Sequence, residues 1–180
     1  DIKSVGGLIG GNANRLNNYL TPNNGISGNL VLKAVSYALA VSEVNASMGK
    51  IVAAPTGGAS GVLPGVIIAL KEELSLTDER ALKGLFVAAA MGKIIAINAT
   101  LSGAEGGCQA EVGSASAMAA AAAVYMRGGT PEASLDAAAM ALKGLLGLVC
   151  DPVAGLVEVP CSKRNATGTV NALVCADMAL

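Results

Sequence analysis

The sequence predicts an all-α domain, on the grounds of its composition and of the caps and apolar spacing along the chain. Hydrophobic residues make up 53% of the 180 residues, whereas aromatic residues make up 2%. Strand-rich domains fill their pleated faces with aromatic and β-branched side chains. An abundance of Ala, Leu, Met and Gly instead suits helices that pack closely through small side chains. A chain of this length can bury a core, so we expect one compact multi-helix domain over residues 1–180.

The first half of the chain predicts two helices, preceded by a glycine-rich segment and a turn. Residues 4–12 are too rich in glycine for a stable helix, and Asn23-Asn24-Gly25 indicates a turn. Ser27 or Asn29 can cap a helix that runs to about residue 50. A second helix begins near residues 63–64, where a first-turn proline is tolerated, and ends near residue 73.

The second half predicts four more helices. Thr77 caps a helix that reaches about residue 98. An Ala-rich helix covers roughly residues 111–127, and Thr130-Pro131 begins another that reaches about residue 149. A final helix starts around residue 163. Glycine- and proline-rich loops separate these helices and are expected to form the functional site; they are residues 55–63, 101–109 and 150–161.

The net charge and the hydropathy of the chain indicate which kinds of partner it can bind. A net charge of −1 with 14% charged residues gives no electrostatic reason to expect nucleic acid or an anionic membrane. A mean hydropathy of +0.57 is high for a free-standing domain, so we expect a partner domain or subunit to cover apolar surface. Prolines and glycines interrupt the apolar stretch 51–70, which argues against a membrane span. Without a visible signal peptide, a cytoplasmic protein is expected, and both chain ends look cut from something longer.

Four cysteines and no histidine limit the chemistry of the chain. The absence of histidine excludes a Ser-His or Cys-His pair and imidazole ligands within it. Cys108, Cys150 and Cys161 fall at predicted helix ends or in loops, where free backbone N–H groups can hydrogen-bond a thiolate or sulfide. Three ligands to a four-iron cluster would leave one iron open to substrate. Buried core cysteines explain the same pattern, and Cys175 is expected to be one of them.

Several segments resemble the α part of iron–sulfur-dependent L-serine dehydratases. They are Pro55–Gly61, Glu105–Gly113, Cys150–Cys161 and Lys163-Arg164-Asn165-Ala166, together with the glycine-rich opening. The resemblance implies a catalytic domain that converts L-serine to pyruvate and ammonia without pyridoxal phosphate, in amino-acid catabolism that can supply gluconeogenesis. It also implies that Cys108, Cys150 and Cys161 ligate a [4Fe–4S] cluster, and that a β domain or subunit, absent from this chain, completes the enzyme.

The remaining candidate site residues lie in two segments. Five residues with hydroxyls or approachable backbone are expected to bind the substrate carboxylate: Thr56, Gly57, Gly58, Ser60 and Gly61. Lys163 and Arg164 are expected to contact substrate or to tune the cluster. Thr56, Ser60 and Asn165 are the predicted catalytic residues. A tight helix connection and a solvated Lys-Arg pair are the plain structural alternatives. Glu105 and Glu111 fit acid–base roles, and helix-capping or surface roles fit them equally well.

Two other functions remain open from the sequence. A related cluster-dependent lyase such as a cysteine desulfidase would use the same open iron, because that iron could bind a thiol as readily as a hydroxyl. A non-catalytic helical assembly domain, in which the cysteines only pack, needs no metal. For the dehydratase we expect a homo-oligomer, and with histidine absent we expect the β portion to supply the general base.

Overall fold

The computed structural model describes residues 2–20 and 25–180, and within these ranges it has seven α-helices and no β-strand. The helices are α1 Asn12–Leu20, α2 Asn29–Ala46, α3 Val62–Glu73, α4 Asp78–Asn98, α5 Gly103–Arg127, α6 Pro131–Gly144 and α7 Glu158–Ala179. An isolated bridge joins Val153 and Leu156. The all-α prediction is confirmed. Of the turn predicted at residues 23–25, residues 23 and 24 lie outside the described ranges.

Two predicted caps are confirmed in detail. The Thr77 hydroxyl accepts a hydrogen bond from the Arg80 backbone N–H at the start of α4. The Thr130 hydroxyl accepts one from the Ala133 backbone N–H at the start of α6, and Pro131 is the first residue of that helix. Each threonine satisfies a backbone donor that the first helical turn leaves unpaired.

Other predicted boundaries are wrong. α2 has Gly28 at its N-cap, without a side-chain cap, and ends at Ala46 rather than near residue 50. α6 ends at Gly144, five residues early. α7 begins at Glu158 rather than near residue 163. Pro160 is tolerated in its first turn, because the N–H that proline lacks would have no helical partner there. α1, which is polar and rich in asparagine, was not predicted.

The Ala-rich α5 forms the centre of the molecule. Every residue from 112 to 124 is buried, and α3, α4, α6 and α7 pack around this helix. Alanine has the highest helix propensity, and its small side chain lets neighbouring helices approach closely. Glycines on α4 serve the same packing, because a Cβ at Gly84 would lie 3.0 Å from the Met126 side chain. A central helix of small residues therefore holds the outer helices in place.

α4 leaves a broad apolar face exposed. Its uncovered side chains are Leu82, Leu85, Phe86, Ile94 and Ile97. In the described part of the chain α4 is the one helix long and apolar enough to cross a membrane, judged by length and composition, and 33% of its apolar window is buried. Core helices of soluble proteins pass the same test. The exposed face is thus weak evidence for a membrane and equally suits a protein partner.

Candidate active site

The three predicted cluster ligands line one cavity. Its volume is about 1040 Å³, and its wall comes from the N-terminal segment, α2, the loop before α3, the starts of α5 and α7, and the loop between α6 and α7. Cys108, Cys150 and Cys161 all line it. The fold thus brings together thiols that lie far apart in the sequence. Among the described residues, no three His, Cys, Asp or Glu side chains are arranged as a ready-made metal-ion site.

Two hydrogen bonds hold the segment before Cys150 against the start of α5. The backbone N–H of Gln109 donates to the carbonyl oxygen of Leu148 at 2.8 Å. The Gln109 side-chain oxygen accepts from the backbone N–H of Gly147, also at 2.8 Å. Because Gln109 directly follows Cys108, these bonds bring the approach to Cys150 beside Cys108.

Cys108 sits where α5 is interrupted. Gly107 has φ 70° and ψ −169°, a backbone conformation that favours glycine, so the regular helix resumes at Cys108. The Arg164 guanidinium donates a hydrogen bond to the Cys108 sulfur at 2.9 Å and lies 3.6 Å from a carboxylate oxygen of Asp151. Arg164, predicted to bind substrate, therefore contacts a predicted cluster ligand. Lys163 is exposed.

Cys161 lies in the first turn of α7, which the N-terminal segment secures. The Glu158 carboxylate accepts hydrogen bonds from the Ser4 hydroxyl at 2.5 Å and from the backbone N–H groups of Gly6 at 2.6 Å and Leu8 at 3.4 Å. These donors, the Ser4 hydroxyl foremost, hold the pKa of Glu158 below its ordinary value. The glycine-rich opening thereby closes one side of the cavity at the start of α7.

Burial is the main cause of a raised pKa at two of the cavity thiols. It raises the pKa of Cys161 to about 11, and the negative charges of Cys108, Glu111 and Cys150 add to this effect. It also raises the pKa of Cys108, although the hydrogen bond from Arg164 partly opposes the shift. A coordinated metal cation reverses this preference, since thiols lose their proton when they bind it.

Asn165 joins the glycine-rich loop to α7. Its side chain is 1% exposed, and its amide nitrogen donates to the carbonyl oxygens of Gly58 at 2.6 Å and Cys161 at 2.7 Å. Its amide oxygen accepts from the Gly61 backbone N–H at 2.9 Å. The contacts of Asn165 are those of a positioning residue, and its predicted catalytic role stays a prediction.

The loop turns only some of its predicted residues towards the cavity. Thr56 and Gly58 line it, and the buried Thr56 hydroxyl has no hydrogen-bond partner within the described ranges. Ser60 is 1% exposed and its hydroxyl donates to the carbonyl oxygen of Gly57 at 2.7 Å. That oxygen also accepts from the Asn45 side chain at 3.0 Å. Ser60 and Gly57 thus shape the loop, while Thr56 and Gly58 face the space where a ligand would sit.

Sequence reasoning missed part of this wall. Asn45, from α2, lines the cavity, and nothing in its helical context signals this. Glu158 stands inside one of the resemblance segments, yet only the structure shows that it anchors the N-terminal segment. Acid–base, capping and surface roles were all open for Glu111 from the sequence, and the structure shows that it lines the same cavity as the three cysteines.

Comparison with known proteins identifies the family of the chain. The family model described as "Serine dehydratase alpha chain" matches residues 1–180. The chain belongs to the serine dehydratase alpha chain family. It is 59% identical over 179 residues to the "Probable L-serine dehydratase, alpha chain" of Bacillus subtilis (strain 168), covering 99% of this chain and 60% of that protein. Its identity to the "L-serine dehydratase, alpha chain" of Peptoniphilus asaccharolyticus is 50%, covering 96% of this chain and 59% of that protein.

A third member of the family shows how far the similarity extends. The "L-serine dehydratase TdcG" of Escherichia coli (strain K12) is 47% identical over 145 residues, which cover 80% of this chain and 32% of that protein. The chain therefore spans about 60% of the two alpha chains and a third of this longer relative. Membership rests on the full length of the chain, whereas the relatives contain further sequence.

Proposed function

We propose that this chain is the catalytic, cluster-binding part of an L-serine dehydratase, which converts L-serine to pyruvate and ammonia. The observation that carries the proposal is the single cavity that Cys108, Cys150 and Cys161 share with Thr56 and Gly58. Relatives named L-serine dehydratase support the reaction. The relatives and the shared cavity together favour the proposal over a helical assembly domain, in which the cysteines would only pack and would have no reason to meet at one cavity.

The donor set suits a [4Fe–4S] cluster. Cysteine thiolates are the usual ligands of such clusters, and the guanidinium of Arg164 already donates to one of the three sulfurs. Hydrogen bonds to cluster sulfurs tune the metal centre. Ligands of a cluster bind different irons, so they stand farther apart than the ligands of one ion, which fits three thiols spread around a cavity wall. Cys108, Cys150 and Cys161 would hold the cluster and leave one iron without a protein ligand.

The residues on the wall can orient the substrate. When bound, a cluster with an open iron supplies a Lewis acid for the substrate hydroxyl. In our proposal, the Thr56 hydroxyl, which is buried and has no partner among the described residues, and the backbone at Gly58 would bind the carboxylate. This contact would fix the α-carbon and support the charge that develops next to it. Loss of the α-proton and the hydroxyl gives aminoacrylate, which hydrolyses to pyruvate and ammonia. Pyridoxal phosphate has no role in this scheme.

The full protein would supply what this chain lacks. The sequence contains no histidine, so we propose that the general base comes from a β domain or subunit. The exposed apolar face of α4, with Phe86 68% exposed, offers a surface for that portion or for a second copy in a homo-oligomer. All four cysteines are free, which suits the reducing cytoplasm. Lys163, exposed beside Arg164, remains a candidate contact for substrate.

Anaerobic reconstitution tests the proposal. The protein containing this chain should take up iron and acid-labile sulfide, about four of each per chain for a cubane cluster, and should form pyruvate from L-serine. Cys108→Ser, Cys150→Ser and Cys161→Ser should each lose most of the iron and the activity. Cys175→Ser is the matched control, because Cys175 is buried in the core at 6% exposure and should leave the iron content unchanged.

Two results would contradict the proposal. A wild-type protein that binds neither iron nor sulfide would refute the cluster, and full iron binding in all three serine variants would refute the ligand assignment. Turnover of L-serine, L-threonine and L-cysteine should be compared in the same preparation. A strong preference for L-cysteine with release of sulfide would favour the desulfidase reaction instead.

A further inference from the structure

We infer that Glu111 binds the α-ammonium group of the substrate and so restricts the site to amino acids. The inference rests on the proposed function and adds to it the residue that recognises the amino group. L-Serine enters the cavity as a zwitterion. Its carboxylate and hydroxyl have partners in the scheme above, whereas its ammonium group still needs an acceptor, because burying an unpaired charge is strongly unfavourable.

The cavity wall offers two carboxylates, and one of them is already engaged. Glu158 accepts hydrogen bonds from Ser4, Gly6 and Leu8, all in the N-terminal segment. The Glu111 carboxylate has no hydrogen bond or ion pair to any described residue. The wall otherwise consists of neutral side chains and the three cysteines, with no lysine or arginine among its described members. A cation from outside the protein is therefore the natural partner for Glu111.

Glu111 lies at the junction of the two parts of the site. On one side it is close enough to Cys108 and Cys161 for its charge to raise the pKa of both thiols. On the other side, a Cβ added at Gly58 in the carboxylate-binding loop would lie 3.3 Å from the Glu111 carboxylate. A substrate whose carboxylate contacts this loop and whose hydroxyl faces the cysteines would place its α-carbon substituents beside Glu111.

Glycines make room for this carboxylate. A Cβ at Gly103 would overlap an oxygen of Glu111, in addition to the close approach at Gly58. Two glycines on separate segments thus leave space for one charged side chain, which points into the cavity rather than outward. A carboxylate next to a thiolate cluster is electrostatically unfavourable by itself, and an ammonium group between them would relieve this repulsion.

Glu111→Gln in the full, reconstituted protein tests the inference, because it keeps the size of the side chain and removes its charge. Two ligands separate ammonium recognition from the rest of binding. L-Alanine has the ammonium group and no leaving hydroxyl, whereas 3-hydroxypropionate has the hydroxyl and no ammonium. Anaerobic calorimetry gives the Kd of each, and steady-state kinetics give KM and kcat for L-serine.

The expected result is a selective loss. Glu111→Gln should raise the Kd of L-alanine and the KM of L-serine by roughly 10- to 100-fold, as for a lost hydrogen bond to a charged group. The Kd of 3-hydroxypropionate should change by less than about twofold, as expected of independent sites. Glu111→Asp, which keeps the charge on a shorter side chain, should recover part of the L-alanine affinity. Glu73→Gln, an exposed carboxylate on α3, is the control without effect.

Other outcomes overturn the inference and are distinct from failure of the proposed function. Equal weakening of both ligands would make Glu111 a structural residue, and a fall in kcat at unchanged KM would make it an acid–base group. Loss of iron from Glu111→Gln would assign it to cluster assembly. In each of these three outcomes the wild-type enzyme still binds iron and consumes L-serine, so the proposed function stands. A wild-type protein that does neither refutes the proposed function, and the inference with it.

Discussion

Replacing Asn165 with alanine removes the amide that joins the glycine-rich loop to α7. The side chain is 1% exposed and makes three hydrogen bonds to backbone groups. The carbonyl oxygen of Cys161 lies one helical turn before Asn165 and can still accept the helical hydrogen bond. The Gly61 N–H loses its partner in a buried environment, whereas the Gly58 carbonyl oxygen loses one in a part-buried environment beside the cavity.

The magnitude follows from these two groups. A buried donor or acceptor left unpaired costs about 1–3 kcal/mol. Asn165→Ala should therefore lower the free energy of unfolding by about 1–3 kcal/mol through the buried Gly61 N–H, and the part-buried Gly58 carbonyl oxygen should add a smaller loss. The loss is a substantial part of the free energy of unfolding of a typical domain, which is about 5–15 kcal/mol. Urea unfolding followed by helical circular dichroism measures the change, with the midpoint falling at an unchanged slope.

A second asparagine provides the matched control. Asn98 is exposed, and its side chain donates to the carbonyl oxygen of Ile94 in its own helix at 2.8 Å. Asn98→Ala should alter stability by less than about 0.7 kcal/mol, the range of ordinary helix propensities. If Asn165→Ala falls within the same range, the two loop groups do not depend on Asn165, and the reasoning about the loop is refuted.

Two further perturbations test the loop and the N-terminal segment. A Cβ at Gly61 would overlap the carbonyl oxygen of Ala38, so Gly61→Ala should lower the free energy of unfolding by about 1–3 kcal/mol. At Gly57 an added Cβ would have its nearest neighbouring atom 3.8 Å away. Gly57→Ala should therefore be tolerated in the same urea assay. The hydrogen bond from the Ser4 hydroxyl is the main reason that the pKa of Glu158 is lowered. At pH values above the ordinary carboxyl pKa, the ionised carboxylate therefore stabilises the N-terminal segment. This stabilisation is lost as the pH falls through the lowered pKa. Hydrogen-exchange protection of residues 4–9 should fall on acidification, and Glu158→Gln should give low protection at every pH; a wild-type segment whose protection ignores pH would contradict this.

Local chemistry explains which elements were predictable from the sequence. Thr77 and Thr130 fix the starts of α4 and α6 through bonds to backbone only three residues away. The start of α7 differs from the prediction because residues 158–161, assigned to the loop, already form the first turn, where Pro160 is tolerated. α1 was missed because a polar, asparagine-rich segment has little helical signal of its own, and its ordered state depends on contacts with α2.

The sequence offers candidate site residues, and their geometry comes only from the structure. Spacing alone left the cysteines open to a packing role, because nothing local dictates that Cys108 and Cys150 should meet. That proximity comes from hydrogen bonds between Gln109 and the segment at residues 147–148, which join residues distant in the sequence. Likewise, the adjacent Lys163 and Arg164 were treated as a pair, yet helical geometry sends one outward and the other to a cysteine sulfur.

One stripe of α7 connects the core to the site. Cys161, Asn165 and Gly168 follow each other at intervals of four and three residues, so they share one face of the helix. A Cβ at Gly168 would lie 2.7 Å from the Val112 side chain, so the glycine lets α7 pack closely against the central α5. One turn earlier Asn165 holds the glycine-rich loop, and one turn before that Cys161 faces the cavity. Because Cys161 and Asn165 lie one turn apart on the same helix, a shift of α7 would displace the cysteine and the glycine-rich loop together.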